Sequence, residues 1–165
     1  MIDRPYPGLI SSLSELAVFL SGSSVVAVDG KDGSGKTFTA RYLSKELRGA
    51  PIDFDDFVDR DCGFLAGLRL DELRNAIEFA ARPLFLSGVC MMDVLDRLAV
   101  QVDAVVYVKR MAGSLWRDED ELFGDALEAY DRAGYPAYPL DYEIREYHRR
   151  RRPHEHATFT FMRQG

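Results

Sequence analysis

A glycine-rich segment carries the strongest chemical signal in this sequence. Gly30-Lys-Asp-Gly-Ser-Gly-Lys-Thr37 fits the pattern G-x-x-x-x-G-K-[ST], between an apolar β-branched run and a helical one. Glycines allow positive φ angles, so such a loop turns its backbone N–H groups around phosphate oxygens at a helix N-terminus. The lysine neutralises the β- and γ-phosphates, and the threonine hydroxyl is a hard oxygen ligand for Mg²⁺. The pattern predicts a nucleoside triphosphate site with Mg²⁺, formed by Gly30, Asp32, Gly33, Ser34, Gly35, Lys36 and Thr37.

A second chemical signal is an acidic segment. Asp53-Phe-Asp-Asp-Phe-Val-Asp-Arg-Asp61 carries five carboxylates in nine residues, at the expected carboxyl end of the second predicted strand. Ligands of open α/β sheets bind at that edge. A carboxylate there can accept the proton of an attacking hydroxyl or hold Mg²⁺ through water. The alternative is a solvated acidic loop without a chemical role.

The elements that position these residues alternate along the chain. Short β-branched runs are separated by segments of helical composition, which is typical of an α/β domain with a mostly parallel sheet. We predict a P-loop NTPase fold, a three-layer α/β/α sandwich with five strands. It forms a single domain over residues 1–165, with a leading helix at about 11–21 and a nucleotide-binding core at about 24–165. The predicted strands cover 24–29, 51–54, 83–87, 104–108 and 157–161, and the later helices cover 37–47, 71–81, 92–99, 114–133 and about 140–152.

Composition sets the broad class of protein. The chain has 165 residues, a formal charge of −6 and 47% hydrophobic residues, so it can bury a core without disulfides or a structural metal. Its two cysteines, Cys62 and Cys90, show no metal-binding or disulfide spacing, and we expect Cys90 in the core. The opening residues 1–7 have no cationic lead into an apolar core, and no apolar run reaches the roughly 20 residues that span a bilayer. We therefore expect a cytoplasmic protein that binds neither membranes nor nucleic acid.

The glycine loop leaves the phosphate acceptor open. A small-molecule kinase, a GTPase-like switch and a nucleotide-binding module all use such a loop. A typical GTPase reads guanine with an Asn-Lys-x-Asp element, whereas the one asparagine here, Asn75, is followed by Ala76. The sequence thus disfavours a GTPase and leaves the other two classes.

The two motifs together resemble a known family. Val28-Asp-Gly-Lys-Asp-Gly-Ser-Gly-Lys-Thr37 followed by Asp55-Asp-Phe57 is similar to the uridine kinase and nicotinamide riboside kinase group of P-loop kinases, and Tyr147–Ala157 is similar to their closing segment. The resemblance implies that Asp55 is the base facing the substrate hydroxyl, with Asp53 and Asp56 as weaker candidates. It also implies ATP and Mg²⁺ as cofactors, with Thr37 and Asp55 as metal-site residues.

The sequence departs from that family in two places. The third strand of the family commonly ends in Glu-Gly, with the glutamate helping to hold Mg²⁺, whereas Ser87-Gly88 stands here. We expect Asp55, Asp53 or Asp93, acting through water, to take the role of the missing glutamate. The acceptor-binding region after Phe57 is also short, because only residues 58–70 separate it from the next predicted helix.

Basic and histidine residues near the end of the chain have several interpretations. Arg117, in Trp116-Arg-Asp118 with Arg110 nearby, resembles the family's lid arginine that stabilises the transferred phosphate; the alternative is an ion pair on its own helix. Arg149–Arg152 fits a helix C-terminus, where cations meet the helix dipole favourably. The three histidines, His148, His154 and His156, lack zinc-site spacing.

These observations predict ATP-dependent phosphoryl transfer to a hydroxyl of a small molecule, such as a nucleoside or riboside. Lys36, Asp55 and Arg117 are the predicted catalytic residues. One alternative is a nucleotide-binding regulator that has lost turnover. Another is a shikimate- or gluconate-kinase-like enzyme, since Asp53-Phe-Asp55 also resembles the Asp-x-Asp element of those kinases. The oligomeric state stays open.

Overall fold

The structure is a computed structural model that describes residues 8–165. Residues 1–7, where the sequence shows no cationic lead, lie outside the described part of the chain. The strands are β1 (Gly8–Ile10), β2 (Val25–Asp29), β3 (Ala50–Asp53), β4 (Leu84–Ser87), β5 (Ala104–Ala112), β6 (Leu115–Trp116) and β7 (Phe159–Gln164). The helices are α1 (Leu13–Leu20), α2 (Lys36–Glu46), α3 (Phe64–Gly67), α4 (Leu70–Phe79), α5 (Met91–Leu98), α6 (Glu119–Phe123), α7 (Ala126–Arg132), α8 (Pro139–Arg151) and α9 (Pro153–His156), with a 3₁₀ turn at Phe54–Phe57.

All the described strands form one sheet in the order β1-β7-β5-β2-β4-β3, with β6 paired to β5. The five predicted strands are the parallel series β3-β4-β2-β5-β7, which confirms the parallel α/β architecture. The count of five strands was too low. β1 adds a parallel edge strand beside β7, and β6 folds back antiparallel on β5. Both additions are too short, at three and two residues, to show a periodic apolar pattern.

Two apolar cores cover the two faces of the sheet. Alternate residues of one strand point to opposite faces, so Ala27 packs in one core while Val26 and Val28 pack in the other. Helices α1 and α2 close the second face, and α3, α4, α5 and α8 contribute to the first. Helices on both faces explain why β2 is apolar from Val25 to Val28. The predicted three layers are confirmed.

The prediction of one helix over 114–133 was wrong. Gly113, at φ +61°, turns the chain from β5 into β6, and Asp118 is buried against Arg110. A second break falls at Gly124, where a Cβ would overlap the Asp120 carboxylate. The segment therefore divides into β6, α6 and α7, because tertiary contacts of these residues outweigh their helical composition.

The arginine run near the C-terminus and two of the three histidines, His148 and His154, contact other parts of the protein. Arg149 donates to the carbonyls of Leu122 and Gly124, and Arg150 and Arg151 pair with Asp93, so the run fixes the end of α8 to its neighbours. Buried His148 bonds to the Tyr107 hydroxyl and the Ile144 carbonyl, and His154 packs against three aromatic rings. Cys90 lies in the core, as predicted. Within residues 8–165 no helix combines the length and the apolar character needed to cross a bilayer.

Candidate active site

The predicted phosphate loop connects β2 to α2 and has the backbone shape that its glycines allow. At Gly30 (φ +151°) a Cβ would lie 2.7 Å from Ser34 Oγ and 2.8 Å from the Val108 carbonyl oxygen, so a side chain has no room. Gly35 adopts φ +102° at the N-cap of α2, where no side chain caps the helix. The first N–H groups of α2 consequently lack intrahelical acceptors and are available to an anion.

Lys36 lies at the base of this loop. Its side chain is buried, and Nζ donates a 2.6 Å hydrogen bond to the Lys31 carbonyl across the loop. Burial lowers the pKa of Lys36, and the nearby carboxylates, Asp29 first among them, oppose that shift. A phosphate would bring further negative charge to an ammonium group that now has one backbone acceptor in the described structure.

Asp29 ties the start of the loop to helix α8. Its fully buried carboxylate accepts a 2.7 Å hydrogen bond from the Gly30 N–H, and the Tyr147 hydroxyl donates to its other oxygen. Tyr147 in turn accepts the N–H of Met92 at the start of α5. Burial raises the pKa of Asp29 to about 6. Sequence reasoning missed this contact, because Tyr147 gives no local sign of its partner.

The side-chain oxygens beside Lys36 are suitable ligands for a divalent cation. The Thr37 hydroxyl donates a 2.7 Å hydrogen bond to Asp53 Oδ2, while Asp53 Oδ1 accepts the Asp55 N–H at 3.0 Å. Mg²⁺ in nucleotide sites takes one or two hard protein oxygens together with phosphate oxygens and water, and a hydroxyl with neighbouring carboxylates matches that donor set. Ser34 Oγ, buried under the loop, has no hydrogen-bond partner among the described residues.

A cavity of about 340 Å³ lies over the loop, and Asp55 stands where it meets a second one. The first cavity is lined by Asp32, Gly33, Gly35, Lys36, Thr37, Asp53, Asp55, Phe64, Gly88, Val89, Leu140 and Arg163. The second, of about 660 Å³, shares Asp55, Phe64 and Leu140 with the first and extends past Val58, Asp59, Arg60, Asp61, Gly63, Tyr138 and Pro139. Desolvation, followed by the charge of Asp53, raises the pKa of Asp55. Because Asp55 lines both cavities, its carboxylate can contact a ligand in either of them.

Arg163 is a site residue that the sequence did not reveal. It lies near the end of β7, and its guanidinium packs against Gly35 and donates to the Ser34 carbonyl at 3.3 Å. No carboxylate in residues 8–165 forms an ion pair with it. An unpaired guanidinium beside a phosphate loop is available for an anionic ligand.

Most of the predicted site residues come together, but Arg117 does not join them. Arg117 is exposed, donates to the Gly165 carbonyl and is absent from the lining of the cavity over the loop. The alternative, an ion pair on its own helix, is not seen either, because Arg117 lies between β6 and α6 and its hydrogen bond goes to the backbone. Asp93 is held by Arg150 and Arg151 and does not line this cavity.

The parallel sheet order and the glycine loop at the carboxyl end of β2 define a P-loop fold. We compared this chain with known proteins. No family model matches this sequence, and no curated protein matches it either. The structure is similar to that of a possible uridine kinase from Bacillus stearothermophilus, with a TM-score of 0.55 and 16% sequence identity over 90% of this chain and 96% of that one. The fold of this chain is thus similar to that of the possible uridine kinase over most of its length.

Proposed function

We propose that this protein transfers the γ-phosphoryl group of ATP to a hydroxyl of a small molecule. The observation that carries the proposal is the position of Asp55, which lines both the cavity over the phosphate loop and the adjoining one. A nucleotide bound at the loop and an acceptor in the second cavity would meet at this carboxylate. The uridine kinase-like fold supports the same reaction class.

In this reaction no side chain has to form a covalent bond to the substrate, and the residues bind, orient and transfer a proton. The N–H groups at the start of α2 bind the phosphates, and Lys36 neutralises charge on the transferred group. Asp55 orients the acceptor hydroxyl and takes its proton as the oxygen attacks the γ-phosphorus, and ADP leaves. Mg²⁺, when bound beside Thr37, supplies charge neutralisation at the β- and γ-phosphate oxygens. Positioning and electrostatic stabilisation account for most of the catalysis in this scheme.

The acceptor cavity favours a neutral or cationic substrate. Asp55, Asp59 and Asp61 line it, and the one cation in its described lining, Arg60, is exposed. Arg69, which lies close by, is already paired with Asp59 and Glu72. With Asp59 paired to Arg69, Asp55 and Asp61 still outnumber Arg60, so an anionic acceptor would meet a net negative lining, and like-charge juxtaposition is costly. These charges disfavour the shikimate- or gluconate-kinase-like alternative.

A panel of acceptors tests the proposal. With Mg²⁺ and ATP, we expect ADP release to be stimulated by a neutral or cationic nucleoside or riboside. Because like-charge contacts are costly, we expect this stimulation of ADP release to exceed that by shikimate or gluconate about tenfold or more. If an anionic acceptor is preferred, the charge argument is wrong. If ATP binds and no acceptor stimulates release, the nucleotide-binding regulator becomes the better assignment.

A second prediction concerns Arg163. Replacing it with methionine removes the unpaired cation beside Ser34 and Gly35 while keeping much of the side-chain volume. Since hydrogen bonds to charged groups contribute roughly 1.5–3 kcal/mol, we expect ATP affinity to fall by about 10- to 100-fold. Calorimetric titration measures this, with Arg74→Met as the control because Arg74 is half-exposed on α4 and pairs with Asp71. Unchanged affinity in Arg163→Met would remove this residue from the nucleotide site.

A further inference from the structure

The structure also bears on which carboxylate supports the divalent cation; this step rests on the proposed function. Three strands end beside the phosphate loop, at Asp29 of β2, Ser87 of β4 and Asp53 of β3. Asp29 is fully buried, and both its oxygens are occupied by Gly30 and Tyr147. Ser87 offers only a hydroxyl and is buried. Asp53 is therefore the strand-end carboxylate that remains.

The strand register places Asp53 where it reaches the threonine of the loop. β3 pairs with β4 in parallel, with Asp53 directly beside Ser87. From there Asp53 Oδ2 accepts the Thr37 hydroxyl at 2.7 Å. Its Oδ1 accepts the Asp55 N–H, which fixes the plane of the carboxylate. Ser87 carries no charge, but the neighbouring strand places the Asp53 carboxylate beside it.

The direction of the Thr37–Asp53 hydrogen bond matters for metal binding. A hydroxyl that donates its proton to a carboxylate keeps its lone pairs for other partners, and a carboxylate partner also makes the ligand oxygen more basic. A small cavity of about 90 Å³ adjoins this pair and is lined by Thr37, Arg41, Pro51, Asp53, Asp56 and Ser87. It has room for water molecules of a hydrated cation.

We infer that Asp53 is the positioning residue of the cation site: it orients the Thr37 hydroxyl as a Mg²⁺ ligand and supplies the negative charge that Ser87 cannot. Asp55 is then left to face the acceptor. The two carboxylates have separate tasks, although only Phe54 stands between them in the sequence.

The test measures metal binding and does not depend on turnover. Mn²⁺ affinity in the presence of a non-hydrolysable ATP analogue is followed by electron paramagnetic resonance, and analogue affinity by calorimetry with Mg²⁺ or with EDTA. Loss of an outer-shell partner typically weakens metal binding 10- to 100-fold, so we expect Asp53→Asn to lower Mn²⁺ affinity by about that factor. Analogue affinity in EDTA should stay within a few-fold of the wild-type value. Asp71→Asn is the matched control, because it makes the same charge change at an exposed residue of α4 that lines none of these three cavities.

A double-mutant cycle with Thr37→Val tests whether Asp53 acts through the hydroxyl. If it does, Asp53→Asn should weaken Mn²⁺ binding little further in a protein that already carries Thr37→Val. The effects of substitutions within one hydrogen-bond network are not additive. Additive losses, or full Mn²⁺ affinity in a folded Asp53→Asn protein, would overturn the inference. Weaker Mn²⁺ binding in Asp55→Asn than in Asp53→Asn would overturn it too. Failure of the proposed function has a different signature, namely a wild-type protein that binds no analogue with or without Mg²⁺.

Discussion

Lys36→Ala is expected to lower ATP affinity by about 10- to 100-fold, the range for a lost hydrogen bond to a charged group. Phosphoryl transfer should fall by a further factor of about 10²–10³, as for removal of one preorganised electrostatic contact. The reason is the burial of Lys36 at the base of the loop, where low solvent exposure strengthens its attraction to phosphate. The buried ammonium now has the Lys31 carbonyl as a partner, and a phosphate would replace a neutral acceptor with a charged one.

The Lys36 experiment is a calorimetric titration with ATP, followed by turnover with the best acceptor. Lys45→Ala is the matched control, since Lys45 lies exposed on the same helix near its C-terminal end. Thermal unfolding without nucleotide checks that Lys36→Ala is folded. Wild-type affinity and turnover in that variant would exclude the glycine loop as the phosphate site.

Asp55→Asn is expected to lower phosphoryl transfer by about 10²–10⁴-fold, the usual contribution of a general base. ATP affinity should stay within a few-fold of the wild-type value, because Asp55 has no hydrogen bond to the loop side chains in the structure. Desolvation and the charge of Asp53 raise the pKa of Asp55, and a higher pKa makes its carboxylate a better proton acceptor.

Turnover and ATP affinity must be measured on the same Asp55→Asn preparation. Asp56→Asn serves as the control, because Asp56 is the next residue but lines neither the cavity over the loop nor the adjoining one. An Asp55→Asn protein with wild-type turnover would contradict the assignment of the base. Loss of ATP binding in this variant would instead place Asp55 in the nucleotide site.

Together the two variants separate the proposed kinase from a nucleotide-binding regulator. A kinase loses turnover in both variants and loses strong ATP binding only in Lys36→Ala. A regulator shows the same loss of binding in Lys36→Ala, whereas wild type and Asp55→Asn are alike because neither transfers phosphate. The short region between Phe57 and α4 is compatible with either function, since the second cavity can hold an acceptor or stay open.

The sequence by itself determined the parts of this protein that depend on local patterns. The order of types in Gly30–Thr37 dictates the loop, because positive φ angles and a following helix need only neighbouring residues. The parallel core of the sheet follows from β-branched runs between helical segments, and these appear close to their predicted places. The predicted leading helix depends on a local feature too, since the Ser12 side chain accepts the Glu15 N–H and caps α1.

Only the tertiary structure decided which distant residues complete the site. Arg163 reaches the loop from 129 positions away and Tyr147 reaches Asp29 from 118, so their partners depend on strand order and helix packing. The pairing of Asp53 with Thr37 depends equally on the register of β3 beside β4. Arg117, which resembles a lid arginine in sequence, instead follows the short β6 hairpin to the Gly165 carbonyl. Contacts between distant segments form through the sheet and its two cores, and composition alone does not encode their pairing.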